Sequence, residues 1–455
     1  MTRLKSCYGL LAHRGCVRNL SKTSSILRHM TSKSAITRMQ AIIVVVIVLI
    51  AAAGAAWYLM TPPPAPVKKI AVVSDIGGRG DLSFNDMAFK GGDEAAKAFG
   101  VTMVELISKS EADYVPNLET AAKDPDVILV VGVGFLLTDA ITDVATRYPD
   151  KDFAIIDGFV PGMPNVMSIL YEEHKGSAIV GAIAALAAAQ YGYSHIGVVL
   201  GIEIPVLWKF EIGYKWGADW GLKWYQNKFG KSAPVIGDTP VKDRVLWTYT
   251  GTFSDITKGY EAAKAMYAQD AVAAYNVAGP LGLGINQAVQ ELATQKGLTN
   301  GPPFWIGVDA NQDWINPGFV LCSMMKRVDR GVYFATQLAV QGTFRQVVAD
   351  NGGIVTLGIG TKISGIDITG ISVSTLADLD EFIAMGTNAE KLTGKKVLPM
   401  SPDEIKSKAT AMRNSVPSWI WDAATELENA IRADPNLVPL AMSQEVVDQW
   451  RATLG

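Results

Sequence analysis

KIAVVSDIGGRGDLSFNDMAFKGGDEAAKAF, residues 69–99, reads as one complete strand, loop and helix, and it decides the fold. Lys69 to Ser74 is a short apolar run with β-branched residues, followed by a Gly-rich turn. The stretch from Phe84 to Phe99 carries the three-to-four-residue spacing of an amphipathic helix. The same unit returns as Val127–Val131 before Phe135–Tyr148, as His195–Leu200 before Pro205–Phe229, and as Ala271–Val277 before Leu281–Lys296; Phe304–Val308 adds a further strand. Strands alternating with amphipathic helices imply parallel sheets with helices on both faces. About ten such strands are too many for one small sheet, and an Ala/Gly-rich helical stretch, Lys175–Tyr191, falls between two sets of them. The expected fold class is therefore α/β, with two doubly wound parallel-sheet lobes; a single (β/α)8 barrel is the alternative. In doubly wound folds ligands sit outside the carboxyl ends of the strands, so the loops that follow the strands are where function is sought.

Ahead of this body, Ala41 to Met60 is free of charge and long enough to match a hydrocarbon core of ~30 Å. Residues 1–40 hold eight Lys/Arg and no Asp/Glu, which predicts a cytoplasmic leader and an external body. A buried core helix, or a signal segment cut near Ala51–Ala56, are the alternatives, and Met30 or Met39 would each open a shorter leader. Pro62-Pro63-Pro64-Ala65-Pro66 suits a stiff spacer. The expected organisation is a basic leader (1–40), a transmembrane anchor or signal segment (41–60), a Pro-rich linker (61–67), a two-lobe ligand-binding domain (68–370) and a mainly helical C-terminal extension (371–455). Lobe one is expected over about 68–172 and 305–330, and lobe two over about 173–304 and 331–370. In the extension, Ser401-Pro402-Asp403-Glu404 is a capping box, and Trp419, Trp421 and Leu427 suggest packing against a lobe.

The formal net charge is −3 although the leader is strongly basic, so the body is acidic. Without a basic stripe to replace phosphate counterions, nucleic-acid binding is not expected. Of Cys7, Cys16 and Cys322 only the last lies in the body, which excludes an internal disulfide there. No cysteine closely follows the apolar run to carry a lipid.

The loop Gly77–Asn85 offers backbone N–H groups and a helix N-terminus to a ligand. It has neither the Gly-Lys-Ser/Thr of a P-loop nor the spacing of a dinucleotide fingerprint, and Asp81 and Ser83 have helix capping as their plain alternative. The Arg79-Gly80-Asp81 string is too short to signify adhesion. Asp75, Asp157 and Asp309 each directly follow an apolar strand, which would set three carboxylates along one cleft, suited to hydroxyl donors such as a ribose diol; capping of the next helix is again the alternative. Catalysis has little support. The body holds only His174 and His195, with no cluster of metal-ligand spacing and no Gly-x-Ser-x-Gly elbow. No cofactor or metal is expected.

The segments DIGGRGDLSFNDMAFKG (75–91), GVGFLLTDAITDVATRYPDKDFAIIDG (132–158) and YEEHKGSAIVGAIAAL (171–186) together resemble the basic membrane protein family, substrate-binding proteins of ABC transporters whose characterised members are purine nucleoside receptors. GIEIPVLWKFEIGYKWGA (201–218), YTGTFSDITKGYEAAKAMY (249–267) and AGPLGLG, IGVDANQ and SMMKRVD (within 278–329) extend the resemblance. It implies a type I periplasmic-binding fold with lobes joined by crossover strands. It also implies roles: Phe84 as a stacking ring, Asn85 and Asp75 at the base edge, Asp157 as a further cleft carboxylate, Asp309 as ribose acceptor and Lys326 as the cleft lysine. Ala278-Gly279-Pro280-Leu281-Gly282 departs from the family's usual Ala-Gly-Gly-Thr-Gly and supplies no second stacking aromatic, for which Tyr275 or Trp208 are candidates, with core packing as their alternative. The family's lipid-bearing cysteine is also missing. The implied protein is the extracytoplasmic binding component of a nucleoside-type ABC importer, not an enzyme, held at the cell membrane through residues 41–60, with a permease and an ATPase as partners. A ligand-sensing ectodomain and a nucleoside hydrolase are the alternatives.

Overall fold

Strands buried on both faces must be apolar along their whole length, and the strands Val127–Val133, Ala271–Val277 and Val320–Lys326 are buried at nearly every position. A computed structural model describes residues 37–60 and 67–455; the basic leader through residue 36 and the proline run 61–66 lie outside the described residues. Helix α1 (Arg38–Met60) is long and apolar enough to cross a membrane and forms a unit by itself.

The body begins with β1 (Lys69–Val73), α2 (Phe84–Phe99), β2 (Thr102–Leu106), α3 (Tyr114–Lys123), β3 (Val127–Val133), α4 (Thr138–Arg147), β4 (Asp152–Ile156) and β5 (Val166–Tyr171). The chain then crosses to a second lobe with α5 (Glu173–Tyr191), β6 (His195–Leu200), α6 (Pro205–Phe229), β7 (Val245–Tyr249), α7 (Ile256–Ala268), β8 (Ala271–Val277), α8 (Leu281–Gln295), β9 (Phe304–Val308) and β10 (Val320–Lys326). It returns to the first lobe with α9 (Val328–Gln341), α10 (Phe344–Asp350) and β11 (Ile354–Leu357). A small hairpin, β12 (Thr361–Ile363) with β13 (Ile366–Ile368), leads to β14 (Ile371–Val373) in the second sheet. Helices α11 (Leu379–Thr393), α12 (Pro402–Ser415), α13 (Ser418–Ala433) and α14 (Gln444–Leu454) follow.

The two six-stranded sheets have orders β11-β5-β4-β3-β1-β2 and β14-β10-β9-β8-β6-β7. Renumbered within each lobe, these are one and the same winding. The first sheet is wholly parallel, and in the second only β14 runs antiparallel, against β10. The division of the later chain differs from expectation. Residues 305–330, assigned to lobe one, hold β9 and β10, which pair in the second sheet; residues 328–357, mostly assigned to lobe two, hold α9, which packs on α2, and β11, which pairs with β5. The extension expected from residue 371 begins with β14, the edge of the second sheet. The cause is physical: a crossover carries the chain between sheets without changing its local periodicity, so strand patterns alone do not say which sheet a strand joins.

Helix α5 is buried almost throughout and packs against α6, α13 and the second sheet. Its Ala/Gly composition serves close contact. Gly217 of α6 lies so near the Ala178 backbone that a Cβ there would overlap it, and Gly213 stands likewise to His174 and Gly181 to Tyr214. Gly217→Ala is therefore expected to destabilise the body by about 1–3 kcal/mol through overpacking; an unchanged midpoint in guanidinium denaturation would contradict this close approach.

The last three helices lie over the second lobe, α12 on β10, α13 on α5 and α14 on α6. The expected capping box starts α12: the Ser401 hydroxyl accepts from the Glu404 N–H, and Glu404 accepts from the Ser401 N–H at 3.0 Å. Trp419 stacks on Trp224 with ring centroids 6.2 Å apart, and Arg451 joins Glu203 and Glu211 of the second lobe.

Candidate functional site

Between the carboxyl ends of the two sheets lies a cleft with about 640 Å³ of empty space, its open mouth included. The chain ends of β1, β3 and β4 form one wall and those of β6, β8, β9 and β10 the other, so the cleft spans the point in each sheet where the strand order reverses. All six sequence-predicted residues, Asp75, Phe84, Asn85, Asp157, Asp309 and Lys326, line it.

Asp157 and Asp309 occupy equivalent places, one after β4 and the other after β9, and both have left-handed backbone, with φ of 66° and 64°. Such a conformation is uncommon outside glycine and persists where surroundings hold it in place. Neither makes the helix-capping bonds that were its alternative. The Asp309 carboxylate accepts from the Ser83 hydroxyl at 2.7 Å; Asp157 accepts from Lys326 at 2.5 Å through one oxygen, while its other oxygen, Oδ1, is buried without a hydrogen-bond donor. Burial pushes Asp309 up to about 6, against the opposing pull of Lys326 and Ser83.

Lys326, at the end of β10, is nearly inaccessible to solvent. Its ammonium also stands 2.8 Å from Glu173 and 5.2 Å from the centre of the Phe84 ring. Burial favours the neutral amine, but Asp157, Glu173 and Asp309 outweigh it and hold Lys326 firmly cationic. Burial likewise opposes the Glu173 charge, yet Lys209 and Lys326 bring its pKa below the ordinary value; Asp157 is raised by burial and by that neighbouring Glu173 charge. Glu173 begins α5, and Lys209 of α6 pairs with it and donates to the Tyr171 carbonyl at 2.9 Å. These two groups were not foreseen, although Glu173 stands within the quoted YEEHKG stretch.

In the Gly-rich loop, Asn85 donates to Asp75 at 2.8 Å and accepts from the Asp75 N–H at 3.2 Å. Burial raises the Asp75 carboxyl while the Asn85 contact opposes it. Asp81 is the true cap of α2, accepting from the N–H groups of Ser83, Asn85 and Asp86. Burial, with the charge of Asp86, pushes it up to about 8. Ser83 spends its hydroxyl across the cleft instead, on Val308 and Asp309.

Phe135 from the first lobe and Phe210 and Phe253 from the second also line the cleft. Sequence reasoning missed them, although Phe135 lies two residues beyond the end of β3 and Phe253 four beyond β7, where the strand-end rule directs attention. Neither earlier candidate for a second ring lines it. Tyr275 is fully buried against Tyr214 and Phe210, and Trp208 packs on the C-terminal helix with Val447.

Two doubly wound lobes, joined by three crossovers and meeting at a polar and aromatic cleft, define a binding protein of the periplasmic type. The chain belongs to the Bmp family, described as PnrA-like ABC transporter substrate-binding proteins, whose model matches residues 68–220 and 239–387. It is 36% identical over 383 residues to an uncharacterized lipoprotein of Pyrococcus abyssi, covering 84% of this chain and 86% of that protein. It is 29% identical over 316 residues to the ABC transporter nucleoside-binding protein BmpA of Lactococcus lactis, covering 66% and 81%. The crystal structure of an ABC transporter solute-binding protein from Aeropyrum pernix K1 superimposes with a TM-score of 0.70 at 32% identity, over 84% of this chain and 96% of that one.

Proposed function

We propose that the chain is the extracytoplasmic binding component of an ABC importer, anchored by α1, and that its cleft takes a purine nucleoside for delivery to separate permease and ATPase subunits. Phe84 stacks on the base, with Phe253 of the opposite lobe as its second face; Asn85 and Asp75 meet the base edge, and Asp157, Asp309 and Lys326 meet the ribose. The observation that carries this reading is Asp157 Oδ1, a buried acceptor without a donor in a cleft that Phe84, Phe135, Phe210 and Phe253 help to line. A ligand hydroxyl supplies what that oxygen lacks, since leaving a buried polar group unpaired costs about 1–3 kcal/mol. The name of the Lactococcus lactis relative, a nucleoside-binding protein, supports the same ligand class. A ligand touching both lobes favours the closed arrangement over the open one, a signal for the permease.

Calorimetric titration of residues 67–455 with adenosine, guanosine, inosine, uridine, free ribose and a simple sugar tests the reading. The expected result is one-to-one binding of a purine riboside with ribose and sugar silent. Silence towards all nucleosides from folded protein would remove the ligand assignment.

Acid should weaken binding. Asp309 accepts hydroxyl protons best when ionised, so affinity is expected to hold above about pH 7 and to fall up to tenfold per unit below about 6. In the empty protein the sign for stability is opposite. Folded Asp309 keeps its proton between the ordinary 3.8 and about 6, so its contribution to stability falls as pH rises through that window. Affinity independent of pH across the same range would exclude Asp309 as a ligand contact.

A further inference from the structure

Residues 388–455 lie beyond the stretch matched by the family model, yet one side chain of this extension ends in a buried network that reaches the cleft. Arg413 of α12 donates through Nη2 to Asp313 at 2.8 Å and to the carbonyl and hydroxyl of Ser374 at 2.9 and 2.8 Å. Its guanidinium lies over the Trp421 ring, 4.5 Å from the centroid. Asp313 is 2% exposed and also accepts from Ser323 at 2.8 Å. The Ser323 hydroxyl accepts in turn from the Gln312 N–H at 3.0 Å. The Gln312 side chain closes the circuit, accepting from the Val308 N–H at 2.9 Å and donating across the cleft to the Leu82 carbonyl at 3.0 Å. Within this loop, between Val308 and Gln312, stands Asp309 in its left-handed conformation.

We propose that Arg413 is a positioning residue for the ligand cleft: by holding Asp313 it fixes the 308–313 loop and, through it, the direction in which Asp309 presents its carboxylate. The role in binding rests on the reading of Asp309 as a ligand contact. A residue with positive φ keeps that conformation only when its neighbours over-determine it, and here they are Gln312, Ser323 and Asp313, tied together at the second lobe's edge by Ser374 just beyond β14. Asp313 is the one carboxylate in the circuit. Without Arg413 it would be a buried acid with only the Ser323 and Ser374 hydroxyls as donors, and the loop could relieve it by turning towards water. The planar guanidinium, stacked on Trp421 and shared between Asp313 and Ser374, gives a direction as well as a charge. The extension thereby becomes part of the binding wall and not a cover alone.

Hydrogen exchange on the full-length chain in detergent micelles, with no ligand, reads the positioning directly. In R413Q the amides of Val308, Gln312 and Asp313 are expected to exchange at least about tenfold faster, with those of β1 and β3 unchanged, as for local rather than global opening. Unchanged exchange in 308–313, or an equal acceleration throughout the body, would overturn the proposal. Should R413Q fail to fold, R413K keeps the charge but loses the planar two-way contact, and the same local pattern, severalfold in size, is required of it. Calorimetry with inosine as the probe then tests the consequence: about tenfold weaker binding in R413Q, and an R413Q/D309N double variant no weaker than D309N, because both changes act through one group. Losses that add in the double variant would overturn the route through Asp309. Wild-type protein silent to inosine, adenosine and guanosine alike would instead refute the nucleoside reading, and the exchange pattern would still decide the positioning by Arg413.

Discussion

Lys326→Met is expected to destabilise the body by about 3–5 kcal/mol, the range for breaking a buried ion pair by removing one partner, and to abolish ligand binding. The ammonium sits between Asp157 at 2.5 Å and Glu173 at 2.8 Å, and all three side chains are almost completely buried. Methionine fills nearly the same volume, so the loss is electrostatic: two acids remain, with Lys209 as the cation paired to Glu173. Guanidinium denaturation of residues 67–455 measures it, and adding Asp157→Asn to Lys326→Met should recover a large part by removing the stranded charge. A loss below about 1 kcal/mol, as small as a surface pair gives, would mean that these acids do not share the charge assigned to them.

If the cleft takes a purine nucleoside as proposed, Phe84→Ala should leave the fold in place and weaken that binding by about 1–3 kcal/mol, roughly five- to 150-fold. The ring is half-buried at the first position of α2, lines the cleft and lies beneath the Lys326 ammonium. Its removal exposes the base face without opening the core behind it. Phe253→Ala from the opposite wall should cost a similar amount, and the double variant should lose less than the sum, since one ring without its partner clamps poorly. Affinity unchanged in Phe84→Ala would end the stacking assignment, while a variant that no longer folds would move Phe84 from the site to the core.

Much of this site was legible in the chain because the features that reveal it are local. A β-branched apolar run that stops at an Asp places that Asp at the carboxyl end of a strand, and Asp75, Asp157 and Asp309 all line the cleft for this reason. Phe84 and Asn85 were legible as an aromatic and an amide at the start of a helix that follows a Gly-rich turn. Ser83 was half legible: its place before the helix suggested capping, but Asp81 takes that duty and the serine hydroxyl crosses to Asp309. No local pattern reports a partner 226 positions away.

What the amino-acid order determined by itself was therefore the periodic elements, their alternation, the apolar α1 and the strand-end residues, because each depends on the spacing of neighbours along the chain. What only the tertiary structure decided was which sheet β9, β10 and β11 join, which phenylalanines complete the cleft walls, and that Arg413 of the extension reaches the loop of Asp309. Those outcomes depend on three crossings between the lobes and on contacts made after the sheets have assembled. Strand pairing and ion pairing act through space, and a linear pattern carries no measure of that distance.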